Sequence, residues 1–144
     1  MASPRRQLLD AVATCLRQIR QGDGYATNAG DVVTLEPGQV EENAEAVLSP
    51  VVIKQERPSE PSKVQTHRLT TVAVMAKVPA MLDESQGRLD DIVSDVERAM
   101  ANKQNQYPPG FEFPRYLAME PVKPEAGMGW TGALITYQSH IPIK

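Results

Sequence analysis

Residues 64–78 read VQTHRLTTVAVMAKV and form the longest strand pattern in the chain. From residue 72 onward every second position carries an apolar side chain, which places one set on a single face of a strand: Val72, Val74, Ala76 and Val78. The opposite face is also fairly apolar and carries Leu69, Thr71, Ala73 and Met75. A strand that is apolar on both faces is typical of the centre of a sheet. We therefore predict a central strand with helices on one face, and we expect a neighbouring subunit on the other.

Two helices are predicted from apolar residues that recur at spacings of three and four. Ser3-Pro4 is a helix-start signal, and the first helix should end near Gly22. Its apolar stripe comprises Leu8, Val12, Cys15 and Ile19. The second helix should start with Asp83 or Ser85 as its cap and run to about Lys103. Its carboxylates are expected to form a solvated outer side: Asp90, Asp91, Asp95 and Glu97.

Four further segments are predicted as strands, at residues 31–35, 46–54, 115–122 and 130–141. Pro50 places the second of these at an edge or bulge, and the last two should form an antiparallel hairpin. The predicted order is α-β-β-β-α-β-β within a single α+β domain spanning residues 1–144. In this fold class a mostly antiparallel β-sheet is packed on one face by two helices.

Two polar segments supply the candidate contact residues. Residues 55–63 are polar, contain two prolines and are expected to form an exposed or mobile loop. Arg57, Lys63 and Arg68 cluster near this loop, as either a mixed solvated surface or a partner-docking surface. A turn-rich connection, residues 25–30, contains Tyr25 and Asn28, and both Asn28 and Gly30 tolerate a positive φ.

Composition and motifs exclude several classes of function. The 144 residues carry a net charge of −3, which argues against a dedicated nucleic-acid-binding protein. The single cysteine, Cys15, is predicted to be a small buried side chain. No metal-binding spacing, nucleophile elbow or phosphate-binding loop is found, so we predict no catalytic residues, no metal, no cofactor and no enzyme activity. No apolar run reaches the ~20 residues that span a bilayer, and the first residues do not predict a signal peptide.

Three segments stand out in the order of elements. The first helix leads through residues 24–30, GYATNAG, directly into the strand at residues 31–35. The strand at 69–78 precedes the helix at 89–100, LDDIVSDVERAM. The chain closes with residues 132–138, GALITYQ. In this order of elements and in these segments, the sequence resembles the tail terminator proteins of long-tailed bacteriophages.

This resemblance implies a structural role in the virion. It implies a ring, expected to be hexameric, that caps the head-proximal end of the tail tube, stops tube polymerisation and offers the surface for joining the head. The implied partners are further copies of the chain, the tail tube protein and the head–tail connector, with DNA only passing through the lumen and no membrane. The implied location is the virion, after synthesis in the host cytoplasm. Candidate partner-contact residues are Tyr25, Asn28, Arg57, Lys63 and Arg68.

A second function is compatible with the same α+β pattern. Many unrelated proteins share this architecture, among them ferredoxin-like modules that bind a small ligand or act in regulation. For such a module, the pocket is expected among Trp130, Phe111 and Phe113.

Overall fold

The computed structural model confirms the α+β class. It describes residues 3–35, 46–58, 60–79, 85–101, 107–122 and 130–143. The helices and strands, in chain order, are α1 Pro4–Leu16, β1 Val47–Glu56, β2 His67–Pro79, α2 Ser85–Met100, β3 Arg115–Val122 and β4 Trp130–Pro142. Short 3₁₀ turns lie at Gln21–Asp23, Ala29–Asp31 and Pro61–Lys63.

The four strands form one antiparallel sheet in the order β1-β2-β4-β3. Strand β2 is central, as its two-sided apolar pattern predicted. Val74 pairs with Pro50 of β1 on one side and with Ile135 of β4 on the other. The predicted C-terminal hairpin is also confirmed, since β3 pairs antiparallel with β4.

Both helices pack on one face of this sheet. The predicted β2 face is fully buried beneath them: Val72, Val74, Ala76 and Val78. Helix α1 contacts β1 and β4, α2 contacts β2 and β4, and the helices also contact each other. From α1 the core receives Leu8, Val12, Cys15 and Leu16, and from α2 it receives Leu89, Ile92, Val96 and Met100. Cys15 is completely buried, as predicted.

The opposite face of β2 does not present the open apolar surface that the sequence suggested. Leu69, Thr71 and Ala73 are all buried within the single chain. Ala73 lies between Val51 and Thr136 of the adjacent strands, and these larger side chains flank its methyl group. The exposed large apolar side chains of the sheet lie instead on its two edge strands.

The first helix and the segment that follows it differ from prediction. Ser3 caps α1 as expected, because its Oγ accepts a hydrogen bond from the backbone N–H of Arg6 at 3.2 Å. The helix ends at Leu16 rather than near Gly22. The Ile19 carbonyl accepts a hydrogen bond from the Gly30 N–H at 2.9 Å, which draws the following loop back against the helix end.

The strand predicted at residues 31–35 is reduced to a single bridge. Asp31 ends a 3₁₀ turn, and Val33 forms an isolated parallel bridge with Leu48. The bridge consists of the Leu48 N–H donating to the Val32 carbonyl and the Thr34 N–H donating to the Leu48 carbonyl. The end of α2 also falls earlier than predicted, at Met100. The sequence of residues 39–45 also predicts a polar, acidic loop, and this segment lies outside the described residues.

Candidate functional site

The structure places the five candidate contact residues in two separate regions. Arg57, Lys63 and Arg68 lie at the turn that joins β1 to β2. Tyr25 and Asn28 lie in the loop between α1 and the bridge to β1.

An open groove of about 530 Å³ lies at the β1–β2 turn, lined by Gln55, Glu56, Arg57, Val64 and Arg68. Arg68 shapes this groove from within, because its Nη1 donates to the carbonyls of Val64 at 3.0 Å and His67 at 2.9 Å. Arg57 is exposed and forms no ion pair with any described residue. Of the two arginines, Arg57 is therefore the one whose guanidinium is available to a partner.

Lys63 is directed into the protein's own ion-pair network. Its Nζ lies 3.6 Å from Glu112 Oε2 and 3.8 Å from Glu60 Oε2. Glu112 also accepts a hydrogen bond from Nδ1 of the buried His140 at 3.1 Å and lies 3.4 Å from the Nε of Arg115. Backbone bonds hold the same junction, since the Glu112 N–H donates to the His140 carbonyl at 3.0 Å.

The ionisation of Glu112 follows from these neighbours. Partial burial opposes the charged form of this carboxyl and acts to raise its pKa. The hydrogen bond from His140 and the charges of His140, Arg115 and Lys63 outweigh that effect, so the pKa is lowered from its usual 4.5. Glu112 is thus a stabilising carboxylate that joins the β1–β2 turn to the end of β4.

A Glu112→Gln variant should show this stabilisation as a pH effect. The folded pKa lies below the unfolded one, so the wild-type contribution is complete above pH 4.5 and is lost as the pH falls through the lowered value. We expect the variant to lose about 1–2 kcal/mol of unfolding free energy at pH 7. Its deficit relative to wild type should shrink in acid. Urea titrations at pH 7, 5 and 3 measure this, and a deficit that is equal at all three would contradict it.

The loop that contains Tyr25 is fastened to α2 by a buried carboxylate. Asp95 is 1% exposed and accepts hydrogen bonds from the backbone N–H groups of Ala26 at 3.1 Å and Thr27 at 2.8 Å. The Thr27 hydroxyl donates a third bond at 2.7 Å. The interpretation of Asp95 as part of a solvated outer side was therefore wrong. Asp90, Asp91 and Glu97 are exposed on α2.

Tyr25 and Asn28 serve this loop internally. The guanidinium of Arg98 lies over the Tyr25 ring at 4.8 Å and donates to the Gly24 carbonyl at 3.2 Å. The Asn28 Oδ1 accepts a hydrogen bond from the Gln21 N–H at 2.9 Å, and its φ is −105° rather than positive. Both side chains hold the loop in place. Asn28 is the more exposed of the two and is therefore the one that a partner can contact.

The two edge strands carry a surface feature that the sequence did not reveal. Each contains a β-bulge whose extra residue is large, apolar and about half exposed: Ile53 in β1 at 47% and Leu117 in β3 at 51%. Each also contains a proline, Pro50 in β1 and Pro121 in β3. Bulges and prolines disfavour pairing with another strand, because they interrupt the row of backbone donors.

The exposed apolar surface is larger on β3. Tyr116 and Met119 flank Leu117 and are 54% and 38% exposed. This surface borders a pocket between β3 and the end of α2, in which Phe113 and the buried Tyr137 also take part. The sequence pattern of β3 does not predict this exposed apolar surface, because the register shifts by one residue at the bulge and the alternation is lost there.

No protein-family model matches the chain. No curated protein matches it significantly in sequence. Among the described residues, no helix combines the length and the hydropathy needed to cross a membrane. The same part of the chain holds no group of three or more His, Cys, Asp or Glu side chains placed to bind a metal ion.

Proposed function

We propose that the protein is a virion assembly protein of the tail terminator kind. In this proposal it forms a ring, hexameric by the resemblance, on the head-proximal end of a tail tube. The ring stops addition of tube subunits and presents the surface to which the head connector joins. The observation that carries the proposal is the exposure of apolar side chains on both edge strands of one sheet: Ile53 on β1, and Tyr116, Leu117 and Met119 on β3.

The two edges favour a head-to-tail contact. Strands β1 and β3 lie at opposite ends of the order β1-β2-β4-β3 and differ in sequence. A contact between unlike surfaces is heterologous, and repeated contacts of this type close into a ring when the rotation allows it. Bulges and prolines on both strands favour contact through side chains rather than through continued backbone pairing. This arrangement supports a subunit that buries its edges in an assembly.

The β1–β2 turn supports a second contact, with a neighbouring ring or connector. Glu60, Pro61 and Ser62 are exposed at its tip. The turn is held at its base by Lys63 and Glu112 at 3.6 Å, so the tip projects from a fixed point. A short polar tip on a rigid base is suited to docking after the ring has formed.

Electron microscopy of purified protein with tail tubes tests the proposal. The tubes are built from the tube and tape-measure proteins encoded by the same genome. We expect added density at one end of each tube, with the rotational symmetry of a ring. Tubes whose two ends remain identical after incubation with excess protein would contradict the proposal.

A length-preserving change of residues 60–62 to Gly-Ser-Gly separates the two contacts. These side chains are exposed, so the thermal midpoint should change by no more than a few degrees, about 2–4 °C. Tube capping should continue, while joining of heads to capped tails, counted in micrographs, should fall at least about tenfold, the effect of ~1.4 kcal/mol. Ser94→Ala, exposed on α2, is the control and should leave both steps unchanged. If heads join normally to tails capped by this variant, the β1–β2 turn is not part of the docking surface.

A small-ligand-binding module is the second candidate function. Phe113 lines a cavity of about 350 Å³ with Tyr116 and Tyr137, which partly matches the aromatic pocket expected from the sequence. Phe111 packs against the core, and the Trp130 side chain lies outside the described residues. A thermal-shift screen of metabolites tests this candidate, and stabilisation by one chemical class would favour it over the assembly role.

A further inference from the structure

A pocket between α2 and β3 combines aromatic rings with a carboxylate. Its volume is about 350 Å³, at the small end of the range for ligand pockets, about 300–1,000 Å³. It is lined by Glu97, Met100, Ala101, Phe113, Pro114, Tyr116 and Tyr137. The rings of Tyr116 and Tyr137 meet edge to face with centroids 5.8 Å apart. The pocket is therefore an aromatic site in which Glu97 is the one charged lining residue among the residues that the structure describes.

One polar group in this pocket lacks a partner. Tyr137 is 3% exposed, and its hydroxyl forms no hydrogen bond in the described part of the chain. Burial is the main cause that raises the pKa of Tyr137, and the nearby carboxylate of Glu97 raises this pKa further. The hydroxyl therefore stays protonated. A buried hydroxyl without a partner is costly and marks a place where a ligand group can bind.

The chemistry of the lining selects a cation. Aromatic faces attract a guanidinium or ammonium group, and a carboxylate at the same site neutralises its charge. The chain already contains this arrangement at another place, where one of its own arginines supplies the cation. The guanidinium of Arg98 lies 4.8 Å over the Tyr25 ring and 3.9 Å from the carboxylate of Asp95. The Glu97 pocket repeats the carboxylate and the aromatic ring without the arginine.

Arg57 is the complementary group on the opposite edge of the sheet. It is exposed and forms no ion pair with the described residues. It directly follows the end of β1, whereas the pocket borders β3, so three strand spacings of ~4.8 Å, about 14 Å, separate the two edges. Arg57 therefore cannot fill the pocket of its own chain, and it can reach an equivalent pocket only on a second copy.

Exposed charges of both signs lie near each edge of the sheet. Lys54, three residues before Arg57, is paired with Glu56 at 2.9 Å, and the exposed Arg98 directly follows Glu97 in α2. The pairing therefore rests on Arg57 itself, which has no ion pair among the described residues, and on the carboxylate of Glu97. Complementary charges at opposite edges orient two copies head to tail.

We propose that the Glu97 pocket receives the Arg57 guanidinium of a second copy of this chain. The contact rests on the proposed assembly function, for which it specifies the surface between neighbouring subunits. The guanidinium lies against Tyr116, pairs with Glu97 and donates a hydrogen bond to the Tyr137 hydroxyl. Ile53 and Leu117 then approach one another beside it.

Disulfide trapping between two variants tests the contact without tail tubes. A mixture of Arg57→Cys and Glu97→Cys chains, oxidised at high protein concentration, should form a covalent dimer. Each variant alone should not form it efficiently. Because Cys15 is fully buried, it does not compete. The matched control is Lys54→Cys mixed with Glu97→Cys, since Lys54 is exposed on β1 but lies three residues before Arg57. Dimer yield no greater than in this control overturns the proposal.

Charge reversal tests the same contact on tubes. Arg57→Glu and Glu97→Arg should each reduce ring formation at least tenfold, and an equal mixture should restore much of it, because every contact in a ring of alternating variants then joins opposite charges. The double variant, which exchanges the two charges, should regain most of the loss. Circular dichroism on each variant confirms folding. If both single variants form rings like wild type, the contact is wrong while the assembly function stands. If the disulfide dimer forms but wild type never caps tubes, the contact stands and the assembly function fails.

Discussion

Gly30→Ala should destabilise the protein by about 3 kcal/mol, because the position has no room for a methyl group. A Cβ at this position would lie 2.6 Å from the Leu16 carbonyl oxygen, 2.8 Å from that of Ile19 and 2.9 Å from that of Arg17. All three are backbone atoms at the end of α1, so no side-chain rotation relieves the contact. The Gly30 N–H also donates to Ile19, which prevents the loop from moving away without losing that bond.

Gly22→Ala is the matched control for this prediction. It lies in the 3₁₀ turn that follows α1, and a Cβ there would meet nothing within 4 Å. Its unfolding free energy should stay within about 0.5 kcal/mol of wild type. Guanidinium or urea titrations of the two variants measure the difference. Equal stability of both would show that the loop does not pack against the end of α1 as described.

Asp95→Ala should have an effect of similar size, about 3–4 kcal/mol, for an electrostatic reason. The substitution removes a buried carboxylate and leaves the N–H groups of Ala26 and Thr27 and the hydroxyl of Thr27 without their acceptor at a partly buried site. It also removes the partner that lies 3.9 Å from the guanidinium of Arg98. The loop at residues 25–31 should then exchange its amide hydrogens much faster than in wild type.

Two variants calibrate the Asp95 prediction. Asp95→Asn keeps one acceptor oxygen, so its loss of unfolding free energy should be smaller than that of Asp95→Ala. Asp90→Ala, exposed on the same helix, should change the unfolding free energy by less than about 0.5 kcal/mol. Hydrogen exchange and urea titration provide the readouts. A loss at Asp95 no larger than that at Asp90 would contradict the docking of this loop on α2.

Much of the fold could be predicted because its signals are local. The alternation in β2 predicted a central strand, and the spacing of Leu8, Val12 and Cys15 predicted the buried face of α1. The bounds of β3 match the predicted 115–122. These elements bury a continuous set of apolar side chains, and the periodicity of that set is visible in the sequence.

Other features depend on contacts between distant parts of the chain. The sequence around Asp95 contains three other carboxylates, so nothing local distinguishes the one that turns inward to bind Ala26 and Thr27. The segment at 31–35 has a β-branched composition, yet only Val33 reaches Leu48 because the 3₁₀ turn ends at Asp31. Tertiary context decides both outcomes.

Only part of the candidate site could be predicted, because some of its contacts are local in sequence and others join distant elements. Arg57 and Arg68 are close in sequence to the turn that they line, and the structure brings them into one groove. Glu112, which pairs with Lys63, and His140, which pairs with Glu112, lie about 50 residues or more further along the chain and belong to other elements. The exposed bulge residues Ile53 and Leu117 are set by strand register, which composition does not encode.

The length of tail tubes grown with and without this protein shows whether it terminates tails as proposed. Tube protein and tape-measure protein are mixed, the chain is added during polymerisation, and tube lengths are measured in micrographs. We expect growth to stop at a fixed length, with one capped end per tube, and uncontrolled longer tubes when the chain is omitted. Identical length distributions in the two reactions would contradict the assignment as a tail terminator.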